Sequence, residues 1–306
     1  MIKKLLLILE NWQLHLPTNE VSKLFNRTLS LLTFLLLIQM IGIADSTWGV
    51  DHFVILHKAA NWFEAPALMM SFPFWRENYW LFFYGTLFLS LLGIVGFTSV
   101  WTRAMLWFLF LNLSHGNPEI ANAGWAILKQ CLFFSIFLFE VPSSARSRID
   151  SLKRLVHNLS YYGIWFQIGL LYLVAGSNKL LGNQWIDGNA MALVLSIEEY
   201  SLPIIFKSIE HNSWWLKLVT WITLGYQLSF MPLIWFRRLH WILIPVGLMF
   251  HLGVIFLLGI TDFGIVMIGL YVIFLSNPGA RKINQILIFC PFKSMAGINN
   301  MSGNGD

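Results

Sequence analysis

The chain has 306 residues, of which 57% are hydrophobic and 11% are charged. Ordinary soluble domains carry about 25% charged residues, so the composition excludes one and points to a polytopic membrane protein. The formal net charge of +5 does not indicate a nucleic-acid partner, because the basic residues sit in short loops between apolar runs, where charge sets topology.

The chain opens with MIKKLLLILENWQLHL. Its apolar core, Leu5 to Leu9, is too short for a signal peptide and predicts a short helix on the inner membrane face. Eight apolar runs then predict spans over 24–43, 79–97, 100–114, 125–141, 161–179, 214–235, 240–259 and 263–277. About 20 apolar residues cross a bilayer core. The polar, Pro-broken segment from Asp45 to Asn78 is read as external, with interfacial helices. Its His52 and His57 lack a third ligand at zinc spacing, and no metal is expected. Glu198 and Glu199 place the 190–210 segment at the outer interface. Cys131 and Cys290 match no metal or redox spacing.

With the N-terminus inside, 14 of the 20 Lys and Arg residues fall on inner segments. The acids Asp45, Asp51, Glu64, Glu119, Asp187 and Asp262 fall on outer ones. The positive-inside rule is thereby met at every inner loop. The expected fold is all-α, a transmembrane helix bundle of about eight spans in the inner (plasma) membrane, with the bilayer as its surroundings. Both termini are cytoplasmic: residues 1–20 form an N-terminal segment, 21–280 the membrane domain and 281–306 a tail.

Ionisable groups at membrane depth are candidates for function. Lys179 ends the fifth run, in YLVAGSNKLLGNQWIDGNAM. A lysine there can snorkel to the headgroups. Ala175, Gly176 and Ser177, however, admit a neighbouring helix closely. Apolar packing would then favour a neutral amine able to act as a base; the same position could instead hold an anion. Gly182 and Gly188 bracket Trp185 and Asp187 in a turn-rich stretch. His251 lies mid-run, too deep to snorkel, and either bonds a neighbouring helix or joins a polar site. Gln227 is a second buried polar group, with Pro232 after it. His115, Asn117, Glu119 and Asn122 crowd an outer Asn-Pro turn.

Three of these stretches resemble the horizontally transferred transmembrane (HTTM) domain family, which includes the membrane part of vitamin K-dependent gamma-carboxylase. YLVAGSNKLLGNQWIDGNAM is similar to the family's Tyr-x-x-Ala-Gly-x-x-Lys-Leu…Trp-x-x-Gly signature. GNPEIANAGWAIL resembles its Asn-Pro turn, and GLMFHLGVIFLLGITDFGIVMIGLYVIFL its late helix pair with an embedded histidine. The resemblance implies that Lys179 is the base that deprotonates a reduced naphthoquinone (vitamin K-like) cofactor, with His251 as the family histidine. Asn122, Trp185, Asp187 and Gln227 are carried along as expected substrate contacts. Two departures stand out: Asn122-Ala123-Gly124-Trp125 carries no acid where the family has a Gly-Gly-Asp-like stretch, and Gln227 stands where a glutamate is common.

The expected function is therefore a bacterial HTTM-family membrane protein that modifies or matures a secreted peptide precursor at an outward-facing, carboxylase-like site. The alternative is a non-catalytic membrane partner in peptide-toxin maturation, export or immunity. The resemblance extends to the membrane protein that matures the sporulation-delaying toxin. A transporter is disfavoured, because no inverted repeat is visible.

Overall fold

The protein is described here by a computed structural model covering residues 19–49, 72–117, 120–141, 147–197 and 213–288. The N-terminal helix expected over the first residues, most of the external segment with His52 and His57, Glu198, Glu199 and Cys290 lie outside the described residues. Those described are helical, with no strand among them.

The long helices are α1 (Asn19–Ile38), α2 (Tyr79–Val95), α3 (Val100–Gly116), α4 (Ala123–Ser135), α5 (Arg148–Leu180), α6 (Ser213–Leu233), α7 (His240–Leu258), α8 (Thr261–Leu270) and α9 (Asn277–Ile288). Each of the eight apolar runs falls on one of α1 to α8. Side-chain caps set several starts. Ser99 accepts from the Thr102 amide at α3, Asn122 from Gly124 and Trp125 at α4, and Ser147 from Asp150 at α5. These hydroxyls and the amide occupy backbone donors that have no partner in the first turn. Gly96 ends α2 at φ 114°, and the Phe97 amide reaches back to the Leu92 carbonyl. Only glycine takes that conformation without strain.

Length separates the helices. Among the described residues, three are long and apolar enough to cross a membrane: α1, α5 and the continuous stretch Arg237–Leu258. A fourth crossing is made if Thr261–Phe274 and Asn277–Leu287, bent by 119°, count as one. α2 is apolar but has 17 residues, and α4 has 13. At 1.5 Å per residue, α4 reaches about 20 Å against a hydrocarbon core of about 30 Å. α6 has the length, but Lys217, Thr220, Thr223 and Gln227 interrupt its apolar surface.

Burial orders the bundle around α1, which packs on α2, α8 and α9. Phe25, Leu29 and Leu37 of α1 are fully enclosed. Phe110 of α3 stacks on Trp125 of α4 with centroids 4.9 Å apart. Arg103, 7% exposed, donates to the Ser135 and Leu138 carbonyls. It thus closes the last turn of α4, where carbonyls lack helix partners. α5 packs along α4 and, more extensively, α6, while α7 leans on α8 and touches α6 only lightly. That divergence of α6 from α7 opens a cavity between them.

Candidate functional site

A cavity of about 640 Å³ lies between α6, α7 and the end of α5. Its wall is almost wholly apolar, with Met249, Phe250, Val254 and Phe263 among its members. Lys179, Trp185 and Gln227 also line it. Distances in sequence of 42 to 48 residues are closed here by one close helix contact. A Cβ on Gly176 would lie 3.2 Å from the Gln227 Cβ and 3.0 Å from Leu228 Cδ2. The glycine lets α6 settle against α5, and Lys179 follows one turn later on the same helix.

The geometry at Lys179 comes from the turn behind it. α5 ends at Leu180, and the Leu181 and Gly182 amides bond back to the Asn178 and Lys179 carbonyls. The short helix Asn183–Ile186 then brings Trp185 back over the lysine, with Lys179 Nζ 5.0 Å from the ring centroid. Gly188, at φ 80°, reverses the chain against the side chains of Lys217 and Trp221. The Trp221 indole donates to the Ile186 carbonyl at 3.0 Å and fastens the turn to α6. Lys179 is half-buried and holds a cation–π contact with Trp185. Gln227 is 6% exposed, and its amide oxygen has no partner. Gln227 thus lines the cavity while its amide oxygen is enclosed by protein atoms.

His251 is fully buried and sits behind this wall, its ring packed on Phe250 and Phe263, both of which line the cavity. Its Nε2 is hydrogen-bonded to the Tyr172 hydroxyl. Tyr172 bonds Tyr271, which bonds Tyr226 at 2.9 Å, and Tyr226 lines the cavity. The structure therefore joins Lys179, Trp185 and Gln227 at the cavity and ties His251 to it through three tyrosines. Asn122 and Asp187 stand apart. Asn122 is engaged as the cap of α4, and Asp187 is exposed at the end of the short helix.

The tyrosines were not among the expected site residues. A signal for them exists in the sequence: each lies within an apolar run, where a hydroxyl needs an internal partner.

Comparison with known proteins bears on the same segments. The HTTM domain model matches residues 27–278. The chain is similar to the sporulation-delaying protein SdpB of Bacillus subtilis (strain 168), at 23% identity over 232 residues, which is 70% of each protein. It is also similar to the uncharacterized protein YitO of that organism, at 25% identity over 130 residues, or 41% of this chain and 42% of YitO. The matched part thus spans less than half of YitO. No solved structure matches. The family match takes in α2 to α8 and most of α1, including Lys179, Gln227 and His251, and the chain belongs to the HTTM domain family.

Proposed function

We propose that this HTTM-family protein modifies or matures a secreted peptide by vitamin K-dependent gamma-carboxylase-like chemistry at an outward-facing site. The observation that carries this reading is the apolar cavity with Lys179 and Gln227 on its wall. These features fit a reduced naphthoquinone. The apolar wall suits the fused rings and a prenyl tail, and Gln227 suits a ring hydroxyl. When bound, that group supplies the oxygen-dependent strong base that takes a proton from a glutamate side chain.

Lys179 takes the hydroxyl proton, and the Trp185 face stabilises the ammonium so formed. The apolar wall keeps water from that exchange and strengthens each polar contact inside. Gln227 orients the hydroxyl one helical turn from the lysine. We read α1 to α8 as eight crossings of the inner (plasma) membrane, with both termini cytoplasmic. Lys179 then faces outward, where a secreted precursor can reach it.

The test is oxygen-dependent oxidation of a reduced naphthoquinone by the purified protein, beside its Lys179→Ala variant. Turnover that is lost in the variant is the expected result. Absence of turnover in a folded wild type would overturn the base role. The similarity to SdpB favours a second reading with the same biological setting. In it the protein is a non-catalytic partner in toxin maturation, export or immunity, and Lys179 contacts an anion. That reading expects a precursor peptide to co-purify with the Lys179→Ala variant as with wild type.

A further inference from the structure

Two glutamines meet on the outer surface of α4 and α5. Gln167 Nε2 donates to Gln130 Oε1, across 37 residues of sequence. Gln130 is exposed and Gln167 partly buried. Their depth follows from α5, which is long and apolar enough to cross a membrane. Between Arg154 and Lys179 that helix holds no Asp, Glu, Lys or Arg, and Gln167 lies 13 residues from the first and 12 from the second. At 1.5 Å per residue this is about 18–20 Å from either flanking charge, the middle of a hydrocarbon core about 30 Å thick. Acyl chains offer an amide neither donor nor acceptor, so polar side chains at this depth turn to protein partners.

The surface around the pair also suits a helix better than lipid. The exposed residues of α4 are Ala123 at its start, Ala126 and Gln130, spaced i, i+3 and i+7 on one stripe. Other outward faces carry large apolar side chains, such as Phe88 and Leu91 on α2 and Met249 and Phe256 on α7, whereas α4 exposes none. The small Ala126 lets a second helix come close. α4 has only 13 residues, and a helix short for the bilayer lowers its mismatch by associating.

The unused hydrogen-bonding groups identify the occupant. Each amide has two N–H donors and a carbonyl that accepts twice. The bond between the two leaves both Gln130 N–H groups and the Gln167 carbonyl open. An identical copy, related by a two-fold axis along the membrane normal, presents the same groups in the opposite order. Gln130 then donates to the partner's Gln167, and the partner's Gln130 donates back to Gln167. Four amides close a ring in which each donates once and accepts once. Reversing the amides reverses the ring and keeps it closed.

We propose that α4 and α5 form a two-fold interface between two copies of this chain, crossing near Ala126 and joined by Gln130 and Gln167 of each. It lies on the α4 side of α5, while the Lys179 cavity lies on the α6 side, so the inference stands apart from the naphthoquinone reading.

The test places the full chain, carrying one C-terminal fluorophore, in liposomes at falling protein-to-lipid ratio and counts photobleaching steps. Wild type should be dimeric at high ratio and dissociate on dilution. Gln130→Leu and Gln167→Leu each remove both bonds between the copies and should each weaken the dimer by roughly tenfold. Wild type that stays monomeric at every ratio overturns the interface. A dimer of unchanged strength in both variants overturns it as well. Disulfide trapping needs no glutamine variant to fold. In a chain lacking Cys131 and Cys290, Ala126→Cys should cross-link in native membranes under copper phenanthroline, and Met249→Cys on α7 should not. Cross-linking at Met249 with none at Ala126 would put the contact on another face and sink the proposal.

Discussion

At the residue scale, Lys179 and Gly247 make the sharpest demands. If Lys179 is a base, its neutral amine must be reachable, and arginine cannot supply one because guanidinium stays protonated. Lys179→Ala and Lys179→Arg should therefore both abolish peptide maturation while membrane levels hold, as read by precursor processing and immunoblot. Processing retained in Lys179→Arg would assign the residue to anion binding. Gly247 makes a different demand, because it sits beneath two hydroxyls and within 2.7 Å of the Tyr271 ring for any added Cβ. Gly247→Ala should cost about 1–3 kcal/mol through overpacking, read as a lower Tm of the purified protein. Lys179, Gln227 and His251 stood out because polar residues in or at the end of apolar runs are few and each must be explained, whereas Trp185 came with the family resemblance. The chain linking them did not. Its members, residues 172, 226, 251 and 271, meet across three helices and the short helical turn after α8, and no local spacing announces such a meeting.

At the element scale, apolar runs located the helices and polar contacts moved their ends. The fifth run was read from residue 161, yet α5 begins at Arg148. Its first turns, RIDSLKRLVHNL, lack an apolar run and still fold as helix. Ser147 caps them, and Arg154, His157 and Asn158 are buried against neighbouring elements. Hydropathy sees lipid contact and is blind to polar residues that find partners inside the protein. The reverse holds at α4, read to residue 141 but ending at Ser135. There Arg103 collects the Ser135 and Leu138 carbonyls and turns the chain out of the helix. Arg103→Leu should remove this donor from the Leu138 carbonyl and leave Ser135 with the Leu138 amide alone, at a cost of about 2 kcal/mol, with Arg103→Lys intermediate. Thermal unfolding of the three proteins in one detergent checks the order, and equal Tm values would remove the cap from the account.

For the whole molecule, the side of the membrane that Lys179 faces depends on parity. Among the described residues, the long helices between α1 and α5 are α2, α3 and α4, and none of them has both the length and the apolarity of a full span. If all three cross, α5 starts inside and carries Lys179 outward. If none crosses, α5 starts outside and Lys179 faces the cytoplasm, for the same inside N-terminus. The charge pattern supports the proposed outward face. The second arrangement would export Arg146, Arg148, Lys153 and Arg154, four basic residues within one short segment, against the positive-inside rule. A short helix is the cheaper fault, because a bilayer thins around one for fractions of a kcal/mol per Å. Single cysteines at Ser99, Ala123, Lys153 and Asn183, in a chain lacking Cys131 and Cys290, separate the cases, since all four positions are exposed. With eight crossings, a membrane-impermeant maleimide should label Ala123 and Asn183 in intact cells, and Ser99 and Lys153 only after permeabilisation. Labelling of Ser99 and Ala123 from the same side would mean that α3 does not cross. Labelling of Lys153 in intact cells would turn the lysine inward, and a secreted precursor could no longer be its substrate.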